Sequence, residues 1–280
     1  MAPIPNLSAH GAKMPAIGFG TSSLGKCAEI VATALKLGYR HIDTAWKYGT
    51  ERSVGDGIRA SGVPRNEIFL CTKVSHEYLR GEDFARSVDE SLKNLGLDCV
   101  DLLLVHWPNP GIPLAEPMAA LAKAKRQGLT RHIGVANFTI ALLDEAIRLC
   151  PEPLVNLQAE YHPYLDQGKL TEACRRRGLI FTAYCPLGRG RLLRDPVLAD
   201  IAVRRGRSGA GRAALARAAG QYRADPAILQ SGAHRRKPPR LRLCIDRGRD
   251  EADRRAQAAR RQDRRSRRPR AGVGLSAAAR

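Results

Sequence analysis

The sequence predicts an α/β protein, a (β/α)₈ barrel of the TIM type preceded by a β-hairpin. Seven short apolar segments alternate with predicted helices, at the spacing of βαβ units. A polar residue stands at or just after the end of each apolar segment, where a barrel places its functional loops. An open doubly wound sheet is the alternative fold, but no G-x-G-x-x-G follows an early strand, which counts against it.

The predicted elements follow one another with short connections. Residues 4–15 predict a hairpin, with His10 and Gly11 as its turn. Glycines at the predicted helix ends, such as Gly38 and Gly96, are typical C-cap residues. The predicted strands are 17–21, 41–45, 68–74, 100–106, 132–137, 155–160 and 179–184. The predicted helices are 27–37, 51–60, 83–95, 114–126, 140–149 and 169–177.

The strand ends carry polar side chains that predict an active site. One such residue is usually a satisfied polar group or a surface charge. Seven in succession, after apolar strand interiors, are hard to explain by solvation, and a parallel barrel would bring them to one mouth. They are Thr21, Asp43, Lys73, His106, Asn137, Gln158 and Tyr184.

Tyr48, five residues after Asp43, is the candidate proton donor. A phenol titrates near pKa ~10 and donates poorly unless its anion is stabilised. The Lys73 ammonium is expected to lower that pKa, and Asp43 to pair with the lysine. His106 can orient a carbonyl oxygen toward the phenol. Protonation of a carbonyl as hydride arrives implies a nicotinamide cofactor, because side chains supply no hydride. For Asp43 and Tyr48 alone, a turn-capping carboxylate and a half-buried phenol are the alternative.

Seven segments together resemble the aldo-keto reductase family, in particular prokaryotic enzymes of the 2,5-diketo-gluconate reductase type. The resemblance covers residues 4 to about 208. It implies a catalytic tetrad of Asp43, Tyr48, Lys73 and His106, with Tyr48 as general acid. In chain order the segments are GFGT, HIDTAWKYGTE, FLCTKV, LLLVHWPNP, IGVANF, NLQAEYHPY and TAYCPLG.

The same resemblance implies the contacts to cofactor and substrate. Tyr184 would stack on the nicotinamide, while Asn137 and Gln158 would bind its carboxamide. The backbone at Leu187 and Gly188 would approach the pyrophosphate. The other implied cofactor contacts are Thr21 and Asp43, and the implied substrate contacts are Trp46, His106 and Trp107. A core aromatic is the alternative for Trp46.

Charge, cysteine content and hydropathy indicate the compartment of the protein and argue against a disulfide framework, a metal site and a membrane-spanning segment. The net charge is +20, but residues 204–280 hold 23 Lys/Arg against 6 Asp/Glu and so carry +17 of it. Seven scattered cysteines without C-x-x-C or metal-ligand spacing predict a reducing cytoplasm, no disulfide framework and no metal site. No apolar run is long enough to span a bilayer and no signal segment precedes the barrel, so no membrane association is expected.

Beyond about residue 208 the resemblance stops, and an Arg/Ala/Pro-rich run follows. Read one base later, suitable codons for residues 210–219 encode QVALRWLVQQ, and residues 225–239 permit IPRSSNPERIAENL. Both are segments that the family has at this point. We therefore interpret residues 1–208 as the reductase barrel and 209–280 as an out-of-frame, disordered basic tail. The frame would slip near residues 208–210, and the eighth strand is expected to be missing.

The predicted function is NADPH-dependent reduction of an aldehyde or ketone to an alcohol, with NADH as the alternative cofactor. The expected partner is a small carbonyl substrate, with no specific nucleic acid and no membrane. The protein is expected to be a cytoplasmic monomer. Two alternatives stay open. One is a non-catalytic barrel whose basic tail binds nucleic acid or acidic surfaces, and the other is an inactive, frame-shifted product.

Overall fold

The computed structural model describes residues 4–199 and the pair 221–222. A hairpin comes first, in which β1 (Asn6–Ala9) pairs antiparallel with β2 (Ala12–Pro15). The turn between them places Gly11 at φ 85°, a conformation that glycine adopts without steric cost. The hairpin predicted from the sequence is therefore present.

Seven parallel strands follow, and each is hydrogen-bonded to the next one in the chain. All side chains of the third and fourth of these strands are buried, as expected for strands covered on both faces. The predicted α/β class, with its sheet of parallel strands, is confirmed. The strands are β3 (Gly18–Gly20), β4 (His41–Asp43), β5 (Phe69–Val74), β6 (Val100–Val105), β7 (Thr130–Ala136), β8 (Leu154–Glu160) and β9 (Ile180–Tyr184).

Between residues 27 and 176, six α-helices alternate with these strands and pack against their outward side chains. Every strand and helix predicted between residues 17 and 184 is present, with its ends shifted by at most two residues. Along residues 4–199, none of the helices has the length and hydropathy needed to cross a bilayer. The helices are α1 (Cys27–Lys36), α2 (Glu51–Ser61), α3 (Gly81–Leu95), α4 (Ala115–Arg126), α5 (Ile140–Leu149) and α6 (Gly168–Arg176).

The hairpin covers the amino-terminal end of the strands. Its side chains Ala9, Ala12 and Met14 are buried in one apolar cluster with Phe69, the first residue of β5, and with Leu102 of β6. This cluster fills the space inside the curved sheet at the amino-terminal end of the strands. The carboxyl ends of the strands, at the opposite end, are left for polar residues.

Two glycines allow α2 to pack closely between α1 and α3. A Cβ atom added at Gly55 would lie 2.1 Å from the carbonyl oxygen of Leu95, and one added at Gly57 would lie 2.5 Å from that of Ala28. Neither position accepts a larger side chain unless the helices move apart. Glycine inside a helix costs roughly 0.5–1 kcal/mol relative to alanine. The close packing fixes α2, which starts three residues after Tyr48, against the barrel.

A two-residue segment further along the chain pairs with the edge of β3. β10 (Gln221–Tyr222) pairs in parallel with β3, Gln221 lying opposite Gly18 and Tyr222 opposite Phe19. The free edge of β3 offers unpaired backbone groups to an extended segment of this kind. Among the described residues, β9 and β10 are not hydrogen-bonded to each other. The predictions made for residues 200–220 and 223–280, including the disordered tail, lie outside the described part of the chain.

Candidate active site

The carboxyl ends of the strands bring the predicted tetrad (Asp43, Tyr48, Lys73 and His106) together. Asp43 is the last residue of β4, Lys73 lies one residue before the end of β5, and His106 directly follows β6. Tyr48 ends a 3₁₀ turn (Trp46–Tyr48) just beyond β4. Because neighbouring parallel strands end at the same edge, residues far apart in the sequence become neighbours in space.

Asp43 and Lys73 form a buried ion pair at the base of this site. Lys73 Nζ donates to Asp43 Oδ1 at 2.6 Å and to the Thr44 carbonyl oxygen at 2.8 Å. The second carboxylate oxygen, Asp43 Oδ2, accepts from Gln158 Nε2 at 2.8 Å. Residual exposure is 3% for Asp43 and 0% for Lys73, so both charges depend on protein partners instead of water.

The electrostatics of the pair keep both groups ionised. Burial alone would raise the pKa of Asp43, but the Lys73 charge and the hydrogen bonds from Lys73 and Gln158 bring it below its ordinary value. Burial alone would lower the pKa of Lys73, but the Asp43 charge raises it well above its ordinary value. At neutral pH the site therefore contains a fixed ammonium next to Tyr48.

Tyr48 lies beside this ammonium, with Lys73 Nζ 5.2 Å from the centroid of its ring. Burial raises the pKa of Tyr48, and the Lys73 charge together with a hydrogen bond from Lys73 opposes that rise without cancelling it. The expected effect of Lys73 is thus present, but the net pKa lies above the ordinary value of a phenol because burial outweighs it. Tyr48 consequently carries its proton at neutral pH.

His106 meets Tyr48 edge to face, with ring centroids 5.7 Å apart and an angle of 81° between the planes. Burial, followed by the Lys73 charge, lowers the pKa of His106 to about 4. The imidazole is therefore neutral at neutral pH and offers one N–H. Its Nδ1 atom is buried and has no hydrogen-bond partner within residues 4–199 and 221–222.

A second chain of hydrogen bonds ties the neighbouring strand ends to His106. Asn137 Nδ2 donates to the His106 carbonyl oxygen at 2.8 Å, and the Tyr184 hydroxyl donates to Asn137 Oδ1 at 2.8 Å. Asn137 adopts φ 64°, in the left-handed region that asparagine tolerates better than most residues. Burial, and then the Glu160 charge, raise the pKa of Tyr184 to about 12, so its phenol is a stable donor to Asn137.

The other predicted cofactor residues, at the strand ends and in the turn after β9, form hydrogen bonds within the protein. Thr21 is fully buried and its hydroxyl donates to the Asp43 carbonyl oxygen at 3.2 Å. Leu187 and Gly188 lie in the turn after β9, where the Gly188 N–H donates to the Cys185 carbonyl oxygen at 2.8 Å. No hydrogen bond joins Leu187 or Gly188 to the tetrad in the part of the chain that the structure describes.

The two predicted substrate tryptophans differ in their surroundings. Trp46 donates its indole N–H to Glu90 Oε2 of α3 at 3.0 Å, and its ring packs edge to face on Tyr78 with centroids 4.8 Å apart. The indole N–H of Trp46 is therefore bound by a residue of α3. This agrees with the alternative prediction that Trp46 is an aromatic packing residue. Trp107 follows His106 directly and is 48% exposed, which leaves its ring available at the mouth.

One buried carboxylate beside the site was not predicted from the sequence. Glu51, the first residue of α2, accepts from Thr72 Oγ1 at 2.6 Å, and Thr72 precedes Lys73 in β5. Burial raises the pKa of Glu51, although hydrogen bonds from Thr72, Ser91 and Asn94 oppose that rise. An acidic residue in the first turn of a helix normally faces solvent, so no sequence signal distinguishes this one.

Comparison with known proteins identifies the family. Residues 16–210 match the family model described as the aldo/keto reductase family. Methylglyoxal reductase DkgB of Salmonella typhi is 45% identical over 196 residues, which cover 68% of this chain and 73% of the relative. An aldo-keto reductase of Mycobacterium avium is 41% identical over 201 residues, covering 70% of each protein.

Solved structures agree with these sequence matches. A crystal structure provisionally named 2,5-diketo-D-gluconic acid reductase B matches with a TM-score of 0.74 and 42% identity, over 79% of this chain and 80% of that one. A Bombyx mori aldo-keto reductase solved in complex with NADP matches with a TM-score of 0.68 and 30% identity, over 74% and 77%. The fold, the site and these matches together show that the chain is an oxidoreductase and belongs to the aldo/keto reductase family.

Proposed function

We propose that this protein reduces an aldehyde or a ketone to an alcohol with NADPH as hydride donor and Tyr48 as proton donor. The observation that carries the proposal is the buried Asp43–Lys73 ion pair beside the Tyr48 phenol. A buried ion pair contributes little net stability, because the cost of desolvating two charges offsets their attraction. Next to a phenol, however, the ammonium stabilises the tyrosinate that forms when the proton leaves.

The residues at the strand ends fit a nicotinamide. The amide oxygen of Gln158 has no hydrogen-bond partner in the described part of the chain, and the half-buried Tyr184 ring lies at the mouth. We assign Asn137 and Gln158 to the carboxamide and Tyr184 to the face of the ring. The backbone at Leu187 and Gly188 is assigned to the pyrophosphate, and Thr21 and Asp43 complete the proposed set. NADPH, when bound, supplies the hydride.

The tetrad divides the remaining chemistry among its members. The neutral His106 imidazole donates an N–H to the substrate carbonyl oxygen and orients it toward Tyr48. The Tyr48 hydroxyl then gives its proton to that oxygen, which becomes the alcohol hydroxyl. Lys73 offsets the charge left on the phenolate, and Asp43 keeps Lys73 ionised and in place. General acid catalysis of this kind contributes about 10²–10⁴-fold.

We propose a small carbonyl compound as the substrate, held between His106 and the exposed Trp107, with Trp46 supporting the loop that carries Tyr48. Methylglyoxal, the compound named for the DkgB relatives, is the first to test. The proposal includes a monomeric protein in the cytoplasm, in which NADPH is the main reductant and NADH a weaker one. Sedimentation of the purified chain checks its oligomeric state.

We also propose that the reading frame changes near residues 208–210. The family match ends at residue 210, at the point where the altered frame would begin. Residues 1–208 would then be the reductase barrel and 209–280 an unrelated basic segment. The expected C-terminal part of the family, including its phosphate-gripping segment, would be regained by restoring the frame.

The test compares the chain as written with a version whose frame is restored near residue 208. NADPH binding is measured by quenching of cofactor fluorescence, and turnover by NADPH oxidation with methylglyoxal and a panel of aldehydes and ketones. The restored version should bind NADPH and reduce carbonyl compounds, and the chain as written should bind NADPH much more weakly. Binding without turnover of any carbonyl in the panel would refute the reductase proposal. Equally tight binding by both versions would refute the frame proposal.

A further inference from the structure

We propose that the protein binds a small phosphate ester in a cleft at the amino-terminal end of the barrel, opposite the tetrad. This cleft has a volume of about 640 Å³ and lies between the hairpin and the amino-terminal ends of β4 to β7. Ligand sites typically enclose about 300–1,000 Å³, so the cleft has room for an organic group as well as a phosphate. The proposal does not depend on the reductase chemistry, because no residue of the tetrad lines the cleft.

The hairpin forms one wall of the cleft. Successive side chains of a strand point to opposite faces, and Ala12 and Met14 of β2 are buried in the apolar cluster inside the sheet. Lys13 and Pro15 therefore face the other way, into the cleft. The exposed Lys13 ammonium has no hydrogen-bond or ion-pair partner among residues 4–199 and 221–222. Ile4 and Pro15, both half-buried, add an apolar surface beside this charge.

Two arginines on the opposite wall keep N–H groups for a ligand. Arg40, directly before β4, donates from Nε to Glu67 at 3.3 Å and from Nη1 to two backbone carbonyl oxygens at 2.9 Å. Arg131 of β7 lies with Nη1 3.3 Å from Asp101 Oδ1, and its side chain is 56% exposed. A guanidinium carries five N–H groups, more than these contacts use. Its planar fork matches the oxygens of a phosphate.

The two carboxylates that line the cleft already have cationic partners. Glu67 pairs with Arg40. Asp101 is 4% exposed and lies 2.7 Å from Arg65 Nη2 as well as 3.3 Å from Arg131. A ligand anion would therefore meet carboxylates whose charge is balanced by protein groups.

The remaining charge around the cleft is positive. The four cations named above, with Arg65 included, stand against two carboxylates, which leaves a net charge of +2. His132 also lines the cleft, and burial lowers its pKa, so it adds no charge at neutral pH. A phosphate monoester carries about −1.5 to −2 at pH 7 and would balance this excess. Its organic group would then lie against the apolar surface of the hairpin wall.

The test is calorimetric titration of the full chain with phenyl phosphate at pH 7.5 and constant ionic strength. Lys13→Gln and Arg131→Gln each remove one cation from the cleft. Lys93→Gln on α3 and Arg148→Gln on α5 are matched controls, because both residues are exposed and do not line the cleft. Each cleft variant should weaken binding by about tenfold or more, as expected for a lost charge-assisted hydrogen bond, and the controls should bind like the parent.

The controls also account for anions that bind to the arginine-rich residues 204–280, since all five proteins share that segment. Equal affinity in the parent and both cleft variants would overturn the proposal. The same loss in the cleft variants and the controls would also overturn it, because long-range charge would then explain the binding. A parent that shows no saturable binding would overturn it as well.

A second measurement locates the probe and covers the case in which Arg131→Gln does not fold. In ¹H–¹⁵N NMR spectra of the parent, the backbone amide resonances of Gly11 and Asn66, which line the cleft, should move as phenyl phosphate is added. Those of Tyr48 and Trp107, at the other end of the barrel, should not. Shifts confined to residues 204–280 would place the probe on the basic segment and overturn the site.

Two further probes test the chemical class of the ligand. Inorganic phosphate should bind more weakly than phenyl phosphate, because it has no group to contact Ile4 and Pro15. Benzoate should bind at least tenfold more weakly, since it has the ring but only one negative charge. Benzoate that binds as tightly as phenyl phosphate would overturn the assignment to a phosphate. Inorganic phosphate that binds as tightly would overturn the assignment to an ester.

Discussion

Lys73 Nζ lies 2.6 Å from Asp43 Oδ1, and this ion pair joins two adjacent strands at the floor of the barrel mouth. Both side chains are almost completely withdrawn from water. Because desolvation offsets most of the attraction within such a pair, stability alone is a weak reason for its presence. The pair places a permanent positive charge beside a buried phenol. This relationship connects the fold to the proposed chemistry.

Tyr48→Phe should abolish most carbonyl reduction by the frame-restored protein. General acid catalysis contributes about 10²–10⁴-fold, so a loss of that order in kcat is expected, with cofactor affinity nearly unchanged. Steady-state kinetics and fluorescence titration measure the two quantities. Tyr39→Phe is a matched control, since Tyr39 lies outside the tetrad and packs edge to face against Phe19 of β3. Turnover by Tyr48→Phe within a few-fold of the parent would show that another group supplies the proton.

Lys73→Met should destabilise the chain by roughly 3–5 kcal/mol at pH 7, because it leaves the Asp43 charge buried without its partner. Urea unfolding followed by circular dichroism measures the loss. The double variant Asp43→Asn/Lys73→Met should recover much of the stability and none of the activity. The gap between Lys73→Met and the parent should narrow as the pH falls, since burial raises the pKa of the unpaired Asp43 and protonation removes its charge. A gap that is constant with pH would argue against an unpaired carboxylate.

Lys73→Arg should retain part of the activity that Lys73→Met loses, because it keeps a positive charge near Tyr48. The loss of the charge in Lys73→Met removes the influence that lowers the pKa of Tyr48. The basic limb of the pH–rate profile should therefore move to higher pH in Lys73→Met and move less in Lys73→Arg. Identical basic limbs in the parent and both variants would limit Lys73 to a structural role.

His106 should make folding stability sensitive to mild acid. Its pKa falls from an ordinary 6.5 to about 4 in the folded protein, so the unfolded chain binds a proton first as the pH drops. Stability is therefore fully present above pH 6.5 and lost progressively down to about pH 4, by up to about 3 kcal/mol. Urea unfolding between pH 7 and 4 should show a smaller loss for His106→Gln. Part of the slope should persist in that variant, because burial lowers the pKa of His41 and His132 as well. Equal slopes would contradict the assignment.

Replacing Asn137 should destabilise the protein in two separable ways, through the loss of its hydrogen bonds and through backbone strain at this position. Asn137→Gly and Asn137→Ala both lose the bonds to His106 and Tyr184, but only alanine is strained at φ 64°. The Gly variant should therefore be the more stable of the two, by roughly 1 kcal/mol in thermal or urea unfolding. An Ala variant as stable as the Gly variant would mean that the loop relaxes to another conformation.

The sequence was sufficient for the order of elements and for the prediction that Asp43, Tyr48, Lys73 and His106 meet at the strand ends. Apolar runs of strand length and the helices between them depend on local periodicity, which is why β3 to β9 and α1 to α6 lie within two residues of their predicted bounds. Tyr48 and Asp43 were recognisable because polar residues at the ends of parallel strands must share one mouth. None of this required knowledge of distances.

Tertiary structure alone decided how strongly each group is perturbed and which distant side chains meet. The net rise in the pKa of Tyr48 depends on how deeply its hydroxyl is buried, and burial is a property of the assembled barrel. The bond from Gln158 to Asp43 spans the interior between non-adjacent strands, so no pattern along the chain predicts it. The pairing of Gln221–Tyr222 with β3 likewise depends on a free sheet edge, which exists only once the other strands are in place. Local sequence specifies elements through short-range periodicity, whereas burial, cross-barrel contacts and edge pairing arise from the three-dimensional closeness of residues far apart in the chain.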